Sequence, residues 1–229
     1  MPTPHPSPPR VLLLNPPSRA TVLRDYYCCT HSKTGYYWRP IDLVVQSGVL
    51  RHHAQVRVCD AVACRMSPGA VLDTVRAFRP HAVFSLIGSA TLHSDLPLLQ
   101  RVHQHTRAQI IVSGDVVRHD PEALLSRNSF LHAALLDFTS RDILHLLQGR
   151  TRDFRAMALR SDAGISLIRR SGESEFSYPF PMHHAFPAQR YAMPLIPRAF
   201  APVLTSFGCP HACAFCNSGV RSLGFRQRD

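Results

Sequence analysis

Residues 11–17, Val-Leu-Leu-Leu-Asn-Pro-Pro, decide the fold of this 229-residue chain. Four apolar residues run without interruption up to Asn15, and two prolines then prevent the strand from continuing. A continuous apolar run bounded in this way is typical of a strand that is buried on both faces at the centre of a parallel sheet. We therefore expect a functional edge next to Asn15, because parallel sheets bind ligands beyond the carboxyl ends of their strands.

The rest of the first 150 residues alternates between strand-like and helix-like patterns. Further strands are predicted over residues 55–60, 82–88, 109–114 and 135–138. Helices are predicted over residues 41–52, 69–78, 95–106, 121–127 and 141–147. Five repeats of strand and helix predict an α/β domain with a doubly wound parallel sheet over residues 11–150.

The sequence changes character after the fifth helix. Two strand-like runs, over residues 156–160 and 165–169, flank a Ser-Asp-Ala-Gly turn and predict a β-hairpin. A segment rich in Pro, Tyr, Phe and His follows, so a hairpin and linker are predicted over residues 151–199. The apolar run over residues 200–205 predicts the first strand of a second domain. At the other end, residues 1–10 contain five prolines and are expected to form a disordered tail.

Three cysteines follow the last predicted strand at C-x3-C-x2-C spacing: Cys209, Cys213 and Cys216. Three thiolates on one short loop can converge on one metal centre, and soft sulfur ligands favour iron–sulfur clusters or zinc. Zinc bound by these cysteines and His211 is an alternative. However, His211 lies two residues before Cys213, where tetrahedral geometry is awkward. Free thiols are disfavoured because three reactive cysteines on one loop invite oxidation.

The cysteine loop resembles the signature of the radical S-adenosylmethionine (radical SAM) superfamily, which places an aromatic residue just before the last cysteine. Phe215 occupies that position, and residues 205–208 resemble the family's Thr-Ser-Arg-Gly lead-in, with phenylalanine in place of arginine. The resemblance implies that Cys209, Cys213 and Cys216 bind a [4Fe-4S] cluster. It also implies that the open iron binds SAM and that Phe215 lies near the adenine of SAM.

Other segments resemble the cobalamin-binding branch of this superfamily, whose N-terminal domain opens with a run like residues 11–17. Residues 79–85 resemble its R-P-D-[VL]-V-G-[FI]-S segment, and residues 110–115 resemble its I-V-x-G-G-P segment with two departures. Residues 136–138 resemble the start of its D-[YF]-x-x-x-G-E-G motif, but the Gly-Glu-Gly is absent. The resemblance implies a flavodoxin-like domain that binds cobalamin (vitamin B12), followed by the first strand and cluster loop of a radical SAM barrel over residues 200–229.

The predicted strand ends supply candidate contacts to cobalamin. Small hydroxyl side chains and glycines let a large flat ligand approach the backbone, although the same residues are common in ordinary turns. The candidate contacts are Asn15, Ser85, Gly88, Ser89, Thr91, Gly114 and Asp115. No Asp-x-His-x-x-Gly motif is present, so no histidine is assigned as a ligand of cobalt. The long aromatic segment over residues 18–39 predicts either a functional loop or a packed cap.

The resemblance implies that the cluster reduces SAM by one electron and that the resulting radical abstracts hydrogen from a small-molecule substrate. Methylcobalamin then donates a methyl group to an unactivated carbon if the enzyme is a methyltransferase. Only residues 217–229 follow the last cysteine, whereas a barrel needs on the order of a hundred residues more. We therefore expect a truncated product or one half of a split enzyme, which needs an electron donor and a separate chain carrying the rest of the barrel. The alternative is a non-catalytic cobalamin-binding module with a vestigial cysteine loop.

Composition restricts the other classes of function. The net charge of +11 suggests nucleic acid, but the arginines are spread along the chain and Lys33 is the one lysine among 26 basic residues. We therefore expect no nucleic-acid partner. No apolar run has the length of a signal peptide or a membrane span, so no membrane partner is expected either. Seven cysteines without a disulfide pattern indicate a reducing, cytoplasmic location.

Overall fold

The protein is described from a computed structural model that covers residues 7–27, 29–33, 35–170, 177–193, 195–196, 198–211, 213–215 and 225–227. The other residues lie outside this description, and they include Cys216 and residues 1–6 of the predicted tail. Among the described residues, no helix combines the length and the apolar composition that crossing a bilayer requires.

Strands and helices alternate along the described chain. The strands are, in chain order, β1 (Arg10–Asn15), β2 (Val22–Arg24), β3 (Cys29–His31), β4 (Gln55–Asp60), β5 (Ala82–Leu86), β6 (Gln109–Ser113), β7 (Leu131–Leu135), β8 (Ala156–Ser161), β9 (Gly164–Arg169), β10 (Ser206–Phe207) and β11 (Arg226–Gln227). The α-helices are α1 (Ile41–Leu50), α2 (Pro68–Phe78), α3 (Leu92–Thr106), α4 (Pro121–Arg127) and α5 (Asp142–Leu147). The prediction of a disordered tail is wrong at its carboxyl end, because Arg10 belongs to β1 and the backbone oxygen of Pro9 accepts a hydrogen bond from Gln55 N–H at 2.9 Å.

Seven strands form the central sheet in the order β4-β1-β5-β6-β7-β8-β9. The first five are parallel, and the predicted hairpin, β8 and β9, extends the sheet antiparallel beside β7. In the parallel part, β4 lies on the outer side of β1, and β5, β6 and β7 follow in chain order on the other side of β1. This is the flavodoxin-like order. The predicted doubly wound α/β fold is confirmed. Its topological switch point lies between the carboxyl ends of β1 and β5.

Helices cover both faces of the sheet. Helices α1 and α5 share one hydrophobic cluster with Leu13 and Phe84, whereas α2, α3 and α4 share a second cluster with Leu12 and Val83. Successive residues of a strand point to opposite faces, so both faces of β1 need apolar side chains. Residues 11–14 are fully buried, which explains the unbroken apolar run in the sequence.

Two predicted strands are wrong in position. The fifth parallel strand is β7, which ends at Leu135 instead of covering residues 135–138. The chain turns there because the Asp137 carboxylate accepts a hydrogen bond from the backbone N–H of Thr139 at 2.9 Å. Residues 200–205 form no strand, and Val203 is 64% exposed. The nearest strand is the two-residue β10, which pairs antiparallel with β11.

Helix α1 carries two buried polar side chains that tie it to the carboxyl edge of the sheet. Asp42 is fully buried and accepts a hydrogen bond from the Ser113 hydroxyl, at the end of β6, at 3.2 Å. Gln46 donates through Nε2 to the backbone oxygens of Phe138 at 2.6 Å and Ser140 at 2.9 Å. These contacts fix the first turns of α1 against the end of β6 and the loop that follows β7.

Asp42→Asn is predicted to stabilise the protein, and to do so more strongly as the pH rises. Burial, reinforced by the charge of Asp25, raises the pKa of Asp42 from 3.8 to about 8. Between pH 3.8 and about pH 8, the carboxyl group of Asp42 has therefore lost its proton in the unfolded chain but keeps it in the folded chain. The free energy of unfolding therefore falls by up to about 1.4 kcal/mol per pH unit, and Asn removes this dependence.

Urea denaturation across this pH range measures the effect of Asp42→Asn. Asp73→Asn on helix α2 is the control, because the Asp73 side chain is 74% exposed. Parallel pH profiles for wild type and Asp42→Asn would contradict the prediction.

Candidate functional site

A buried ion pair lies at the switch point. Arg24 at the end of β2 donates two hydrogen bonds to the carboxylate of Asp95, at 2.8 and 3.0 Å, and neither side chain is exposed to solvent. Asp95 lies in the first turn of α3. The guanidinium also donates to Thr91 Oγ1, Asn15 Oδ1 and the backbone oxygen of Pro16. It therefore joins the end of β1 to the loop that follows β5.

Asn15 and Asp60 continue this network toward β4. Nδ2 of Asn15 donates to Asp60 Oδ1 at 3.0 Å and to the Tyr37 hydroxyl at 2.7 Å. The hydroxyls of Tyr37 and Tyr191 each donate to the Asp60 carboxylate at 2.9 Å, and their rings stack with centroids 5.5 Å apart. Burial raises the pKa of Asp60, and hydrogen bonds from Ala63 N–H and the two tyrosines oppose that rise. The end of β4 is thus bound to two distant segments of the chain.

Two glycines allow close approaches at this edge. A Cβ atom on Gly88 would lie 2.3 Å from Sγ of Cys29, and one on Gly114 would lie 2.1 Å from the backbone oxygen of Ile87. Gly114 also has a φ of +126°, which residues with side chains rarely adopt. The atoms that approach these two glycines belong to the protein itself.

Asp115 holds the hairpin formed by β2 and β3 onto the edge. Its carboxylate accepts hydrogen bonds from Ser89 N–H at 3.0 Å, Ser89 Oγ at 2.6 Å and Cys29 N–H at 3.0 Å. The Cys29 thiol packs against Gly88, and burial raises the pKa of that thiol. Together with Arg24, these contacts seat the hairpin across the carboxyl ends of β1, β5 and β6.

The structure brings the predicted cobalamin contacts together at one edge, and most of them face inward. Ser89 is exposed, whereas the others are buried: Asn15, Ser85, Gly88, Thr91, Gly114 and Asp115. In the described part of residues 18–39, Tyr26 and Tyr37 are buried, whereas Arg19 and His31 are exposed. The segment is therefore packed in part, and a functional role for it stays a prediction. Contact of these residues with cobalamin stays a prediction.

Sequence reasoning misses Arg24, Asp95 and Tyr191. Their partners lie far away in the chain, 71 residues for Arg24 with Asp95 and 131 residues for Tyr191 with Asp60, and no local pattern reports such pairs. One usable signal is the position of Arg24 just after the apolar Val22 and Leu23. An arginine in such a setting needs buried acceptors to compensate its lost hydration.

A groove of about 870 Å³ lies beside the hairpin at the same edge. Its walls are the loop after β1, the N-terminal ends of α2 and α3, and His31 of β3. Apolar Met66 and Ala90 line it together with the cations Arg19 and Arg65. Helix N-termini carry partial positive charge and bind anions. The groove therefore suits a large ligand that is apolar in part and carries an anionic group.

The cysteine loop lies between β10 and β11, whose pairing brings its two ends together. Cys209 is half-buried and Cys213 is exposed, both as free thiols, and Phe215 is 91% exposed. Cys216 lies outside the described residues, so binding of a cluster by three thiolates stays a prediction. Among the described residues, no three His, Cys, Asp or Glu side chains are grouped to hold a metal ion. His211, the alternative zinc ligand, is exposed.

No protein-family model matches the chain. Among curated proteins, the chain is 21% identical to an uncharacterised methyltransferase from Pyrococcus horikoshii. The alignment covers 96% of this chain and 47% of that protein. The chain therefore spans about half the length of the curated relative that it matches.

OxsB and TsrM are among the solved proteins that share the fold. The cobalamin-dependent S-adenosylmethionine radical enzyme OxsB, solved with aqua-cobalamin and S-adenosylmethionine, matches with a TM-score of 0.71 at 15% identity, over 96% of this chain and 30% of its own. The radical S-adenosylmethionine methyltransferase TsrM from Kitasatospora setae, solved with cobalamin and a [4Fe-4S] cluster, matches with a TM-score of 0.66 at 18% identity. That match covers 97% of this chain and 45% of TsrM. The chain thus has a fold found in cobalamin-dependent radical SAM enzymes, as the sequence resemblance predicts.

Asp95→Ala is predicted to lower the free energy of unfolding by about 3–5 kcal/mol, because it leaves the buried charge of Arg24 without its partner. Asp73→Ala breaks the exposed pair of Asp73 with Arg76 and is predicted to cost at most about 1 kcal/mol. Urea denaturation of the two variants measures the difference. Equal, small losses in both variants would show that the buried pair does not stabilise the edge.

Proposed function

We propose that this chain is the cobalamin-binding part of a radical SAM protein and that it binds a [4Fe-4S] cluster through Cys209, Cys213 and Cys216. The observation that carries the proposal is that the groove and the root of the cysteine loop lie at the same edge of a flavodoxin-like sheet. Phe207, two residues before Cys209, packs against Phe138 beyond the end of β7. Ligands of doubly wound sheets bind at this edge. The fold shared with OxsB and TsrM supports the assignment.

The groove has the chemistry to hold part of cobalamin. Its volume of about 870 Å³ is that of a pocket for a drug-sized ligand, and the remainder of the larger cobalamin molecule would extend beyond it. Cobalamin combines a flat corrin ring with a nucleotide tail that contains a phosphodiester. Met66 and Ala90 would contact its apolar surface, and the N-termini of α2 and α3 with Arg19 and Arg65 would hold the phosphodiester. When bound, cobalamin supplies a carrier for a methyl group.

The predicted contacts at the strand ends shape this groove in two ways. Thr91 belongs to its lining, and Ser89 is exposed beside the lining residue Ala90. Four of the other predicted residues act from beneath by holding the hairpin and the strand-end loops in place: Asn15, Gly88, Gly114 and Asp115. The buried Ser85 hydroxyl donates to the backbone oxygen of Leu86 in the same strand.

The cysteine loop has the chemistry that an iron–sulfur cluster requires. Cys209 and Cys213 are free thiols with access to solvent, and thiolates are the usual protein ligands of such clusters. With Cys216 they leave one iron open for SAM, and the exposed ring of Phe215 is available to contact the adenine. When bound, the cluster supplies the single electron that cleaves SAM.

The proposed protein acts on a small-molecule substrate and receives electrons from a donor. The likeness to TsrM and to a curated methyltransferase favours methyl transfer. The proposed acceptor is an unactivated carbon. Because the chain covers less than half of each of these proteins, the rest of the catalytic barrel is proposed to come from further sequence or from a separate chain.

Anaerobic reconstitution with iron and sulfide is predicted to give about four irons per chain and the visible absorbance of a cluster. Cys209→Ala, Cys213→Ala and Cys216→Ala are each predicted to abolish both, because each removes one ligand. Cys64→Ala removes an exposed thiol elsewhere and serves as the control. Zinc in place of iron, or full iron binding by the three variants, would contradict the cluster. Cobalamin binding without iron would indicate a non-catalytic module.

Ala90→Trp is predicted to weaken hydroxocobalamin binding at least about tenfold, which corresponds to about 1.4 kcal/mol, because the indole occupies the part of the groove that Ala90 lines. Iron binding should not change. Ala163→Trp, on the exposed turn between β8 and β9, is the matched control. Titration followed by the visible spectrum of cobalamin measures both affinities. Equal affinities in the two variants would place cobalamin outside the groove.

A further inference from the structure

The strand that follows the cysteine loop is held to the sheet by a buried ion pair. Nη2 of Arg226, in β11, lies 2.6 Å from Oδ2 of Asp137, just beyond the end of β7. The two side chains are 7% and 3% exposed. This pair therefore joins the far end of the cysteine loop to the carboxyl edge, 89 residues away in the sequence.

The local turn prepares Asp137 for this contact. Its Oδ1 accepts hydrogen bonds from the backbone N–H of Thr139 at 2.9 Å and from the Thr139 hydroxyl at 2.5 Å. Oδ2 is thereby directed to Arg226, whose guanidinium also donates to Thr139 Oγ1 at 3.2 Å. A carboxylate oriented by its own loop loses little further freedom when the arginine binds.

The near end of the loop is held by aromatic contacts. Phe207 in β10 is fully buried, with ring centroids 5.4 Å from Tyr26 and 5.3 Å from Phe138. The guanidinium carbon of Arg226 lies over the Phe207 ring, 4.7 Å from its centroid. Arg226 thus contacts both the sheet edge and the residue through which the loop begins.

A further aromatic contact lies next to the first cysteine. The ring centroid of Tyr27, in the turn between β2 and β3, lies 6.4 Å from that of Phe207, two residues before Cys209. Farther along the loop, Cys213 and Phe215 are exposed. In the described residues, the loop is therefore anchored at its two ends, and the position of its thiols depends on those anchors.

We propose that Asp137 and Arg226 are positioning residues, which fix the cysteine loop over the carboxyl edge next to the β2–β3 hairpin. The inference rests on the proposed function for its consequence, because the loop is positioned for the sake of the cluster. Whether the ion pair holds the loop can be tested without any cofactor. The proposal also gives a role to Asp137, which belongs to the sequence segment 136–138 and does not line the groove.

Hydrogen exchange of the cofactor-free protein tests the anchor directly. Asp137→Asn and Arg226→Met are each predicted to speed amide exchange of residues 206–209 at least about tenfold, because the loop end is released. Exchange in α2 should not change, which separates loop release from general unfolding. The double variant should exchange no faster than the single variants, because both remove the same contact. Asp73→Asn, at an exposed ion pair, is the control.

Iron binding tests the consequence for the cluster. Asp137→Asn and Arg226→Met are predicted to lower the iron content after reconstitution at least about twofold, and Arg226→Lys, which keeps the charge, is predicted to restore part of it. Hydroxocobalamin affinity should be unchanged, because neither residue lines the groove.

Failure of this proposal and failure of the proposed function give different results. Unchanged exchange at residues 206–209 in both single variants would overturn the anchor, whatever the iron content. Faster exchange with wild-type iron content would overturn the positioning role. A wild-type protein that binds no iron would refute the cluster, while the exchange experiment would still decide whether the pair holds the loop.

Discussion

The buried pair of Arg24 and Asp95 determines how the carboxyl edge of the sheet is built. A charged pair without solvent contact is tolerated only when hydrogen bonds satisfy both charges. Arg24 donates five bonds, and Asp95 also accepts from Thr91 Oγ1 and from the N–H of Gly88. Because these bonds reach Asn15, Pro16 and Thr91, they fix the end of β1 against the loop after β5. The hairpin that carries Arg24 thereby closes the crevice in which doubly wound sheets bind ligands.

Because the hairpin closes this crevice, the surface that a ligand can reach at the carboxyl edge lies beside the hairpin. The groove beside the hairpin is built from the same loops, so its shape depends on the buried pair. The cysteine loop reaches the edge on the face covered by α1, where Phe207 joins the core and Arg226 pairs with Asp137. The hairpin contacts both features, through His31 in the groove and through the ring of Tyr27 against Phe207 at the start of the cysteine loop. A flat cofactor and a metal centre would therefore share one support.

The sequence predicts the backbone better than the orientation of side chains. Strand patterns are local, so β1 and β4 are located within one residue. β7 is misplaced because Leu131–Leu135 contains no β-branched residue and no Phe, Tyr or Trp, while the turn around Asp137 contains apolar neighbours. The residue types at the strand ends are also predictable. Their inward orientation is not, because it depends on Arg24 and on a partner 71 residues away.

The most direct test of a shared edge is electron paramagnetic resonance spectroscopy of the protein loaded with cob(II)alamin and a reduced [4Fe-4S] cluster. Each centre carries an unpaired spin. If both are bound at the carboxyl edge, we expect a magnetic interaction that splits or broadens the signals relative to protein loaded with either centre alone. Two unperturbed spectra that simply add would contradict a common edge for the cofactor and the cysteine loop.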